Sequence, residues 1–310
     1  QFLKARVLLN GHVYKGTGSA EAADMQEVIN LVDAITAQGY ALQQGYFDIF
    51  TNEQDTETIW WLGAGVGNRI WNGMHYNMIT EDTGGGGWNG WTTLAEFYDL
   101  FEGAPNSNRV GDGQEERRGW VPDATNTDET NLGFGYGFLL GQQYNLNPES
   151  KEVVKLQDRA KNDLVFTKEL PGLVGNNEAT GIRVLKYHPA NPGGSYVGHQ
   201  IMFRYADAFL MKAEAMMRSG GDATAMVNEL RAIRGAQPVG SVTEDIMLAE
   251  RGRELYIEFV RRIDMIRFGQ FTKDWEFKDP AAIGDETKNL YPIPSNALLS
   301  NSNLVQNPGY

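Results

Sequence analysis

Residues 203–215 of the chain read FRYADAFLMKAEA. From residue 204 to residue 218 the apolar side chains recur every three or four positions, which predicts a helix with one apolar face. The glycine pair at 220–221 ends this helix, and Asp222 can cap a second helix that runs to about Arg234. Two amphipathic helices joined by a short turn predict an αα-hairpin, the unit that stacks in tetratricopeptide-type scaffolds.

The ends of the chain extend this pattern. Residues 2–14 and 20–37 predict an opening hairpin, broken between Gly16 and Gly18. The run Ser241-Val242-Thr243-Glu244 fits a capping box ahead of one long helix, which is expected to reach about Phe268. The last segment, 290–310, is rich in proline and asparagine and is expected to be extended.

The predicted fold class is therefore mainly α, with a large loop-rich insert that contains short strands. Residues 1–39 form the first helical hairpin, residues 40–196 the loop-rich ligand-binding region, and residues 197–310 the second hairpin, the long charged helix and the tail. The middle region loses helical periodicity but is rich in aromatic residues, so ordered loops are expected rather than a disordered linker. In its strand-like run 58–62, alternation predicts that one of Trp60 and Trp61 is buried.

Composition excludes several classes of function. A net charge of −13 argues against a nucleic-acid partner, because phosphate binding needs clustered lysine and arginine. The chain has no cysteine, and its four histidines are scattered without the spacing of a helical metal site. Asn126, Asp128 and Thr130 alternate hard oxygens but lack an EF-hand pattern. No metal or cofactor is expected.

Three segments resemble the SusD/RagB family of outer-membrane glycan-binding lipoproteins. Residues 203–215 are similar to the family signature Arg-Tyr-Ala-Asp-x-Leu-Leu-Met-x-Ala-Glu-Ala, and residues 243–269 look like the family's long charged helix. The ending, from Tyr291-Pro292-Ile293-Pro294 to Gln306-Asn307-Pro308-Gly309-Tyr310, resembles the usual family terminus. With the opening hairpin, the resemblance extends over essentially the whole chain.

The resemblance implies a tetratricopeptide-like scaffold that captures oligosaccharide or polysaccharide and delivers it to a TonB-dependent, SusC-like transporter. It further implies a lipid anchor at the cell surface of a Gram-negative, Bacteroidetes-like bacterium. Family members carry a signal peptide, a lipidated cysteine and further helices ahead of the position of Gln1. The opening helix has no capping residue, so we expect such a segment to precede it and part of its apolar face to lack cover without that segment.

The region around 71–91 holds the candidate ligand-binding residues. Sugar rings stack one apolar face on aromatic rings and offer hydroxyls to planar polar side chains, while glycines let a backbone approach closely. Each tryptophan could equally be a core anchor of a long loop. The candidate glycan-contacting residues are Trp71, Asn72, Tyr76, Glu81, Asp82, Trp88, Asn89 and Trp91. Trp275, after the long helix, is interpreted as structural.

Glu250, Glu254 and Glu258 would share one face of the predicted long helix, where like charges repel. They therefore need cationic partners, and Arg204, Arg261 and Arg262 are available for a structural network of ion pairs. No catalytic role is assigned to these residues.

Two alternatives remain open from sequence. A protein-interaction scaffold would bind peptides along its helical grooves, but the excess of tryptophan, asparagine and glycine in one loop favours glycan. A polysaccharide-degrading enzyme would need two carboxyls about 5–10 Å apart across a sugar. The adjacent pairs at 81–82 and 115–116 are poorly placed for this, so no enzymatic activity is predicted.

Overall fold

The computed structural model describes residues 1–50, 55–63, 67–78, 86–122, 133–147, 149–150, 152–187 and 200–310. It confirms the predicted fold class, a mainly helical chain with short strands. The helices are α1 (Phe2–Leu9), α2 (Gly11–Lys15), α3 (Ala22–Thr36), α4 (Gly67–Trp71), α5 (Ala95–Tyr98), α6 (Tyr205–Arg218), α7 (Thr224–Ile233), α8 (Glu244–Leu255), α9 (Arg261–Arg267) and α10 (Ser295–Ser300). The strands are β1 (Thr58–Leu62), β2 (Gly119–Trp120), β3 (Tyr136–Leu139), β4 (Gly141–Gln142), β5 (Tyr144–Leu146), β6 (Val153–Lys155), β7 (Val165–Phe166), β8 (Arg183–Leu185) and β9 (Gln200–Arg204).

The helical hairpins pack into one scaffold. Helix α3 lies against both α1 and α6, and α6 also contacts α7 and α8. Val28 and Val32 of α3, Leu210 of α6 and Val227 of α7 are fully buried in one apolar cluster. The periodicity of these helices thus buries their apolar faces against each other, as stacking requires.

The predicted long helix from about residue 241 to 268 is wrong. Helix α8 ends at Leu255, and α9 begins only at Arg261. Between them, Ile257 and Phe259 adopt positive φ angles of 61° and 65°, which no helix accommodates. The cap of α8 also differs from expectation, because the Thr243 hydroxyl, and not Ser241, accepts the N–H of Ile246. The tail, expected to be extended, contains the short helix α10.

The exposure of Trp60 and Trp61 also differs from the prediction. Both side chains are about half exposed, at 47% and 50%. Strand β1 pairs antiparallel with β9, but its register shifts on each side of Trp60, so strict alternation of the two faces is lost. Trp60 packs against Phe203, whose ring in turn stacks on Phe2 of α1. Other side chains of α1, such as Leu3 and Val7, are largely exposed.

The loop-rich region has its own core. Strands β2, β3 and β8 form a small antiparallel sheet, and β4 pairs with β7 and β5 with β6. Phe138 of β3 contacts Phe101 and stacks on Tyr256, which follows α8. The loops are therefore held by aromatic packing against the end of the scaffold.

Buried ion pairs join the loop-rich region to the scaffold. The Glu254 carboxylate accepts hydrogen bonds from Arg204 at 2.7 Å, from Arg234 at 3.0 and 3.2 Å, and from Arg117 at 3.3 Å. Arg204 also pairs with Glu258, which the break after α8 brings toward it. Because these side chains come from distant parts of the chain, the network fixes how the loops sit on the helices.

Two members of the expected network have other partners. Glu250 pairs with Arg117, Arg231 and Arg253. Burial alone would raise the pKa of Glu250, but these guanidinium groups lower it to about 2. Arg262, expected to pair with a glutamate, instead donates to the carbonyl oxygens at 288 and 289, because α9 starts after the break and turns its side chain toward the tail.

Candidate functional site

The backbone of residues 86–91 is fastened to residues 71–75. Trp88 N–H donates to the carbonyl of Trp71 at 2.7 Å, Asn89 N–H to Met74 at 2.8 Å, and the N–H groups at 90 and 91 both donate to the carbonyl of Asn72. A Cβ at Gly90 would lie 2.1 Å from the Asn72 side-chain oxygen. Glycine is therefore required for this segment to lie flush on its neighbour, and the aromatic residues of 86–91 project from a fixed backbone.

Residues 170–183 form the facing wall. The Asn89 amide donates to the carbonyl of Glu178 at 2.9 Å, and its oxygen accepts from Arg183 Nε at 2.7 Å. Arg183 also donates to the carbonyl oxygens of Glu178, Thr180 and Gly181. Its side chain is buried, and burial lowers its pKa to about 10. Arg183 therefore connects the two walls, because it bonds to Asn89 on one wall and to backbone carbonyl oxygens on the other.

A cavity of about 540 Å³ lies between these walls, a size typical of ligand sites. Aromatic, amide and charged side chains share its surface, and Asn176 and Asn177 stand on the 170–183 wall. The lining residues are Tyr76, Asn89, Gly90, Trp91, Thr92, Arg159, Leu170, Gly172, Leu173, Asn176, Asn177, Glu178, Thr180 and Arg183. The cavity therefore combines apolar ring faces with hydrogen-bonding groups.

Arg159 and Glu178 shape one side of the cavity. The Arg159 guanidinium lies 4.3 Å from the centre of the Tyr76 ring and donates from Nε to the Glu178 carboxylate at 2.8 Å. Burial opposes charge on Glu178, but the hydrogen bonds from Arg159 lower its pKa overall. Tyr76 is 37% exposed, so its ring remains accessible while Arg159 restrains it.

His75 is buried and contacts the Glu178 carboxylate. Its Nδ1 accepts the N–H of Asn77 at 3.1 Å, which leaves Nε2 to donate to Glu178 at 3.1 Å. Burial lowers the pKa of His75, although the Glu178 carboxylate opposes that shift. His75 is therefore a neutral, buried support of the Glu178 carboxylate near neutral pH.

The candidate residues from the sequence do not all reach the cavity. Tyr76, Asn89 and Trp91 line it, whereas Trp88 is 52% exposed but is not among the lining residues. Trp71 packs on the aromatic core of the loop-rich region.

Asn72 takes part through its carbonyl, which holds the backbone at 90 and 91. Glu81 and Asp82 lie outside the described residues, as do Asn126, Asp128 and Thr130. Within the described ranges, no group of three or more His, Asp or Glu side chains is placed to hold a metal ion.

Two further cavities lie beside residues 91–97. One, of about 320 Å³, is walled mainly by apolar side chains, among them Trp91, Phe97 and Tyr256. The next, of about 470 Å³, reaches Trp275. Thr92 lines all three cavities, and Thr93, Phe97 and Arg261 line the last two. The three cavities therefore adjoin one another, and Trp275 lines the last of them.

Sequence reasoning missed the facing wall. Arg159, Glu178 and Arg183 are absent from the predicted site, although the run Gly175-Asn176-Asn177-Glu178 has the same glycine and asparagine bias as the tryptophan-rich segment. That bias was the available signal. Their pairing with residues 76–91 spans about 90 positions, which no local pattern reports.

The fold and the site define a helical-hairpin scaffold protein that carries a loop-built polar cavity. The profile of the SusD family matches residues 56–310, which is most of the chain. The chain belongs to the SusD family.

The chain is similar to one known protein in sequence and to two solved structures in fold. The starch-binding protein SusD of Bacteroides thetaiotaomicron is 38% identical over 144 residues, which are 42% of this chain and 26% of that protein. A SusD-like protein from Bacteroides fragilis superposes with a TM-score of 0.67 at 20% identity, over 100% of this chain and 64% of that one. Surface glycan-binding protein A from Bacteroides uniformis gives 0.56 at 18% identity, over 98% and 59%. The chain thus spans less than two thirds of the relatives it matches.

Proposed function

We propose that this protein binds oligosaccharide or polysaccharide in the cavity between residues 86–91 and 170–183. The observation that carries the proposal is the arrangement of that cavity, where the accessible rings of Tyr76 and Trp91 stand beside several amide side chains. An apolar C–H face of a sugar can stack on a ring, while its hydroxyls bond to Asn176, Asn177 or Thr92.

The rigidity of both walls supports this proposal. Five backbone hydrogen bonds between residues 86–91 and 71–75, together with the Asn89–Glu178 and Arg183 contacts, order the polar groups before a ligand arrives. Binding then costs less conformational entropy in the protein. A surface of aromatic, amide and charged side chains suits a polyhydroxylated ring better than a peptide, which would favour a helical groove.

We assign the predicted residues different parts in this site. Tyr76 and Trp91 would contact sugar directly, and Asn72 and Trp71 would hold the 86–91 segment that presents Trp91. Trp88, exposed beside the cavity, would contact only a glycan long enough to extend beyond it. Asn89 has both ends of its amide bonded to protein, so its part is to join the walls.

Binding without turnover is the second part of the proposal. Glu178 is the one carboxylate among the described lining residues, and it already accepts hydrogen bonds from Arg159 and His75. A glycosidase of the usual kind needs a second carboxyl across the sugar. A binding protein needs none.

We further propose that the protein acts at the outer membrane of a Gram-negative bacterium, lipid-anchored at the cell surface, and hands its glycan to a TonB-dependent transporter. Family membership supports this part. None of the helices in the described ranges is long and apolar enough to cross a bilayer. The name of the SusD relative makes starch-type α-glucans the first ligands to examine.

Isothermal titration calorimetry against a panel of neutral and acidic polysaccharides tests the proposal. Tyr76→Ala and Trp91→Ala are each expected to weaken binding roughly two- to tenfold, since an aromatic contact contributes about 0.5–1.5 kcal/mol beyond its buried area. Trp61→Ala, which changes a half-exposed tryptophan on β1, is the matched control. Wild-type affinity in both cavity variants, or no binding across the whole panel, would overturn the proposal.

A further inference from the structure

Arg261 stands in the groove that leads from the proposed sugar cavity to Trp275. This groove is lined by Trp91, Thr92, Thr93, Phe97, Arg261 and Trp275, and Arg261 borders both cavities that make it up. Its guanidinium lies 5.6 Å from the centre of the Phe97 ring. The Lys278 ammonium lies 3.4 Å from the centre of the Trp275 ring. The groove thus combines aromatic walls with a cation.

The chain makes room for Arg261 at a cost in helix stability. Arg261 Nη1 donates to the carbonyl of Leu248 in α8 at 2.7 Å. A Cβ on Gly252, in the same helix, would lie 2.7 Å from that nitrogen. Glycine inside a helix is destabilising relative to alanine. Here the glycine lets the guanidinium lie against the helix surface, so the fold fixes the position of the Arg261 side chain.

Arg261, which the sequence analysis expected to pair with a glutamate of the 250–258 face, has no acidic partner among the described residues and instead donates to the Leu248 carbonyl. Burial lowers its pKa, and the Asp264 carboxylate that opposes this shift is already bonded to Arg251 and Arg267. Glu96 also lines the groove but is exposed and makes no ion pair with Arg261 within the described ranges. A partly buried cation without an acidic partner is suited to an anionic ligand.

We propose that the Arg261 groove binds a sugar ring that carries a carboxylate, so the glycan is a uronate-containing oligosaccharide. Nε and Nη2 of Arg261 make no hydrogen bond to described residues, and the edge they form matches a carboxylate in a bidentate pair. Phe97 or Trp275 would contact the apolar face of the same ring. This assignment rests on the proposed function, since the groove adjoins the sugar cavity at Thr92.

Calorimetry with two forms of one glycan tests the proposal. Polygalacturonate oligomers are compared with the same oligomers after carboxyl reduction, together with malto-oligosaccharides as neutral glycans. We expect the uronate form to bind at least tenfold more tightly than the reduced form, and to lose affinity as sodium chloride increases. Arg261→Gln should remove that preference, Arg261→Lys should keep part of it, and Glu96→Gln should strengthen uronate binding.

Arg109→Gln is the matched control, because it removes the same charge from an exposed position outside the groove. Equal affinity for the two forms, with neutral glycans bound, overturns the acidic-sugar proposal and leaves glycan binding intact. Failure of every glycan to bind overturns the proposed function and this proposal together. A uronate preference unchanged in Arg261→Gln overturns the role of Arg261. Tighter binding of dextran sulfate than of polygalacturonate overturns the carboxylate as the recognised group.

Discussion

Replacing Glu254 by glutamine examines the buried ion pairs that hold the loops on the scaffold. The Glu254 side chain is fully buried and accepts hydrogen bonds from Arg117, Arg204 and Arg234. A glutamine amide keeps the shape but removes the charge and turns one acceptor oxygen into a donor that faces guanidinium N–H groups. Breaking a buried pair by removing one partner costs about 3–5 kcal/mol, because the remaining charges lose their compensation.

The expected shift in melting temperature follows from chain length. Unfolding entropy is about 2.1 cal/mol/K per residue, so a chain of 310 residues loses about 1.5 °C for each kcal/mol. Glu254→Gln should therefore lower Tm by about 5–8 °C, measured by differential scanning calorimetry. The control is Asp163→Asn, whose pair with Lys155 at 2.8 Å is about half exposed. Such a surface pair contributes about 0–1 kcal/mol.

The Tm losses of these two variants together test whether the buried ion pairs stabilise the fold. A Tm loss in Glu254→Gln no larger than that in Asp163→Asn would refute a stabilising role for the buried network. A large loss without any change in secondary structure would support it. Urea unfolding at fixed temperature gives the same difference as a free energy and removes dependence on the assumed entropy.

Four further outcomes are expected. Burial alone would raise the pKa of Asp207 and Glu214, but neighbouring arginines lower the pKa of both carboxyl groups to about 2. The two carboxylates therefore stabilise the folded protein fully at pH values above their unfolded-state pKa values of 3.8 and 4.5. Tm should therefore hold down to about pH 5 and fall between pH 4.5 and 2; a flat Tm over that interval would contradict this. Gly90→Ala should lower both Tm and glycan affinity, because its Cβ would meet the Asn72 side chain at 2.1 Å; wild-type binding would argue against a fixed loop. Trp88→Ala should leave Tm nearly unchanged and weaken only long glycans, as titration with short and long oligomers would reveal. Incubation with the tightest ligand should release no reducing ends, and product that scales with protein would count against a binding-only role.

Helix positions were largely predictable because stacking hairpins repeat one local pattern. The glycine pair after α6 and the apolar faces of α3 and α6 are visible in sequence and agree with the structure. The break after Leu255 was not predictable, since no glycine or proline occurs there to signal it. The carbonyl oxygens at that helix end accept hydrogen bonds from Lys186, Arg204 and Tyr46. Groups from distant segments therefore cap the helix, and this tertiary effect outweighs local helical propensity.

The candidate site was predictable on one wall only, and the role of its glycines explains why. Composition pointed to the tryptophan-rich segment and suggested that glycine lets the backbone approach a ligand. In the structure, Gly87 and Gly90 instead let that backbone approach Met74 and Asn72. A bias toward glycine and asparagine therefore reports close packing of a loop on its neighbour as much as contact with sugar. The accessibility of each aromatic ring depends on that packing and on residues 170–183, which face the segment but are distant from it in sequence.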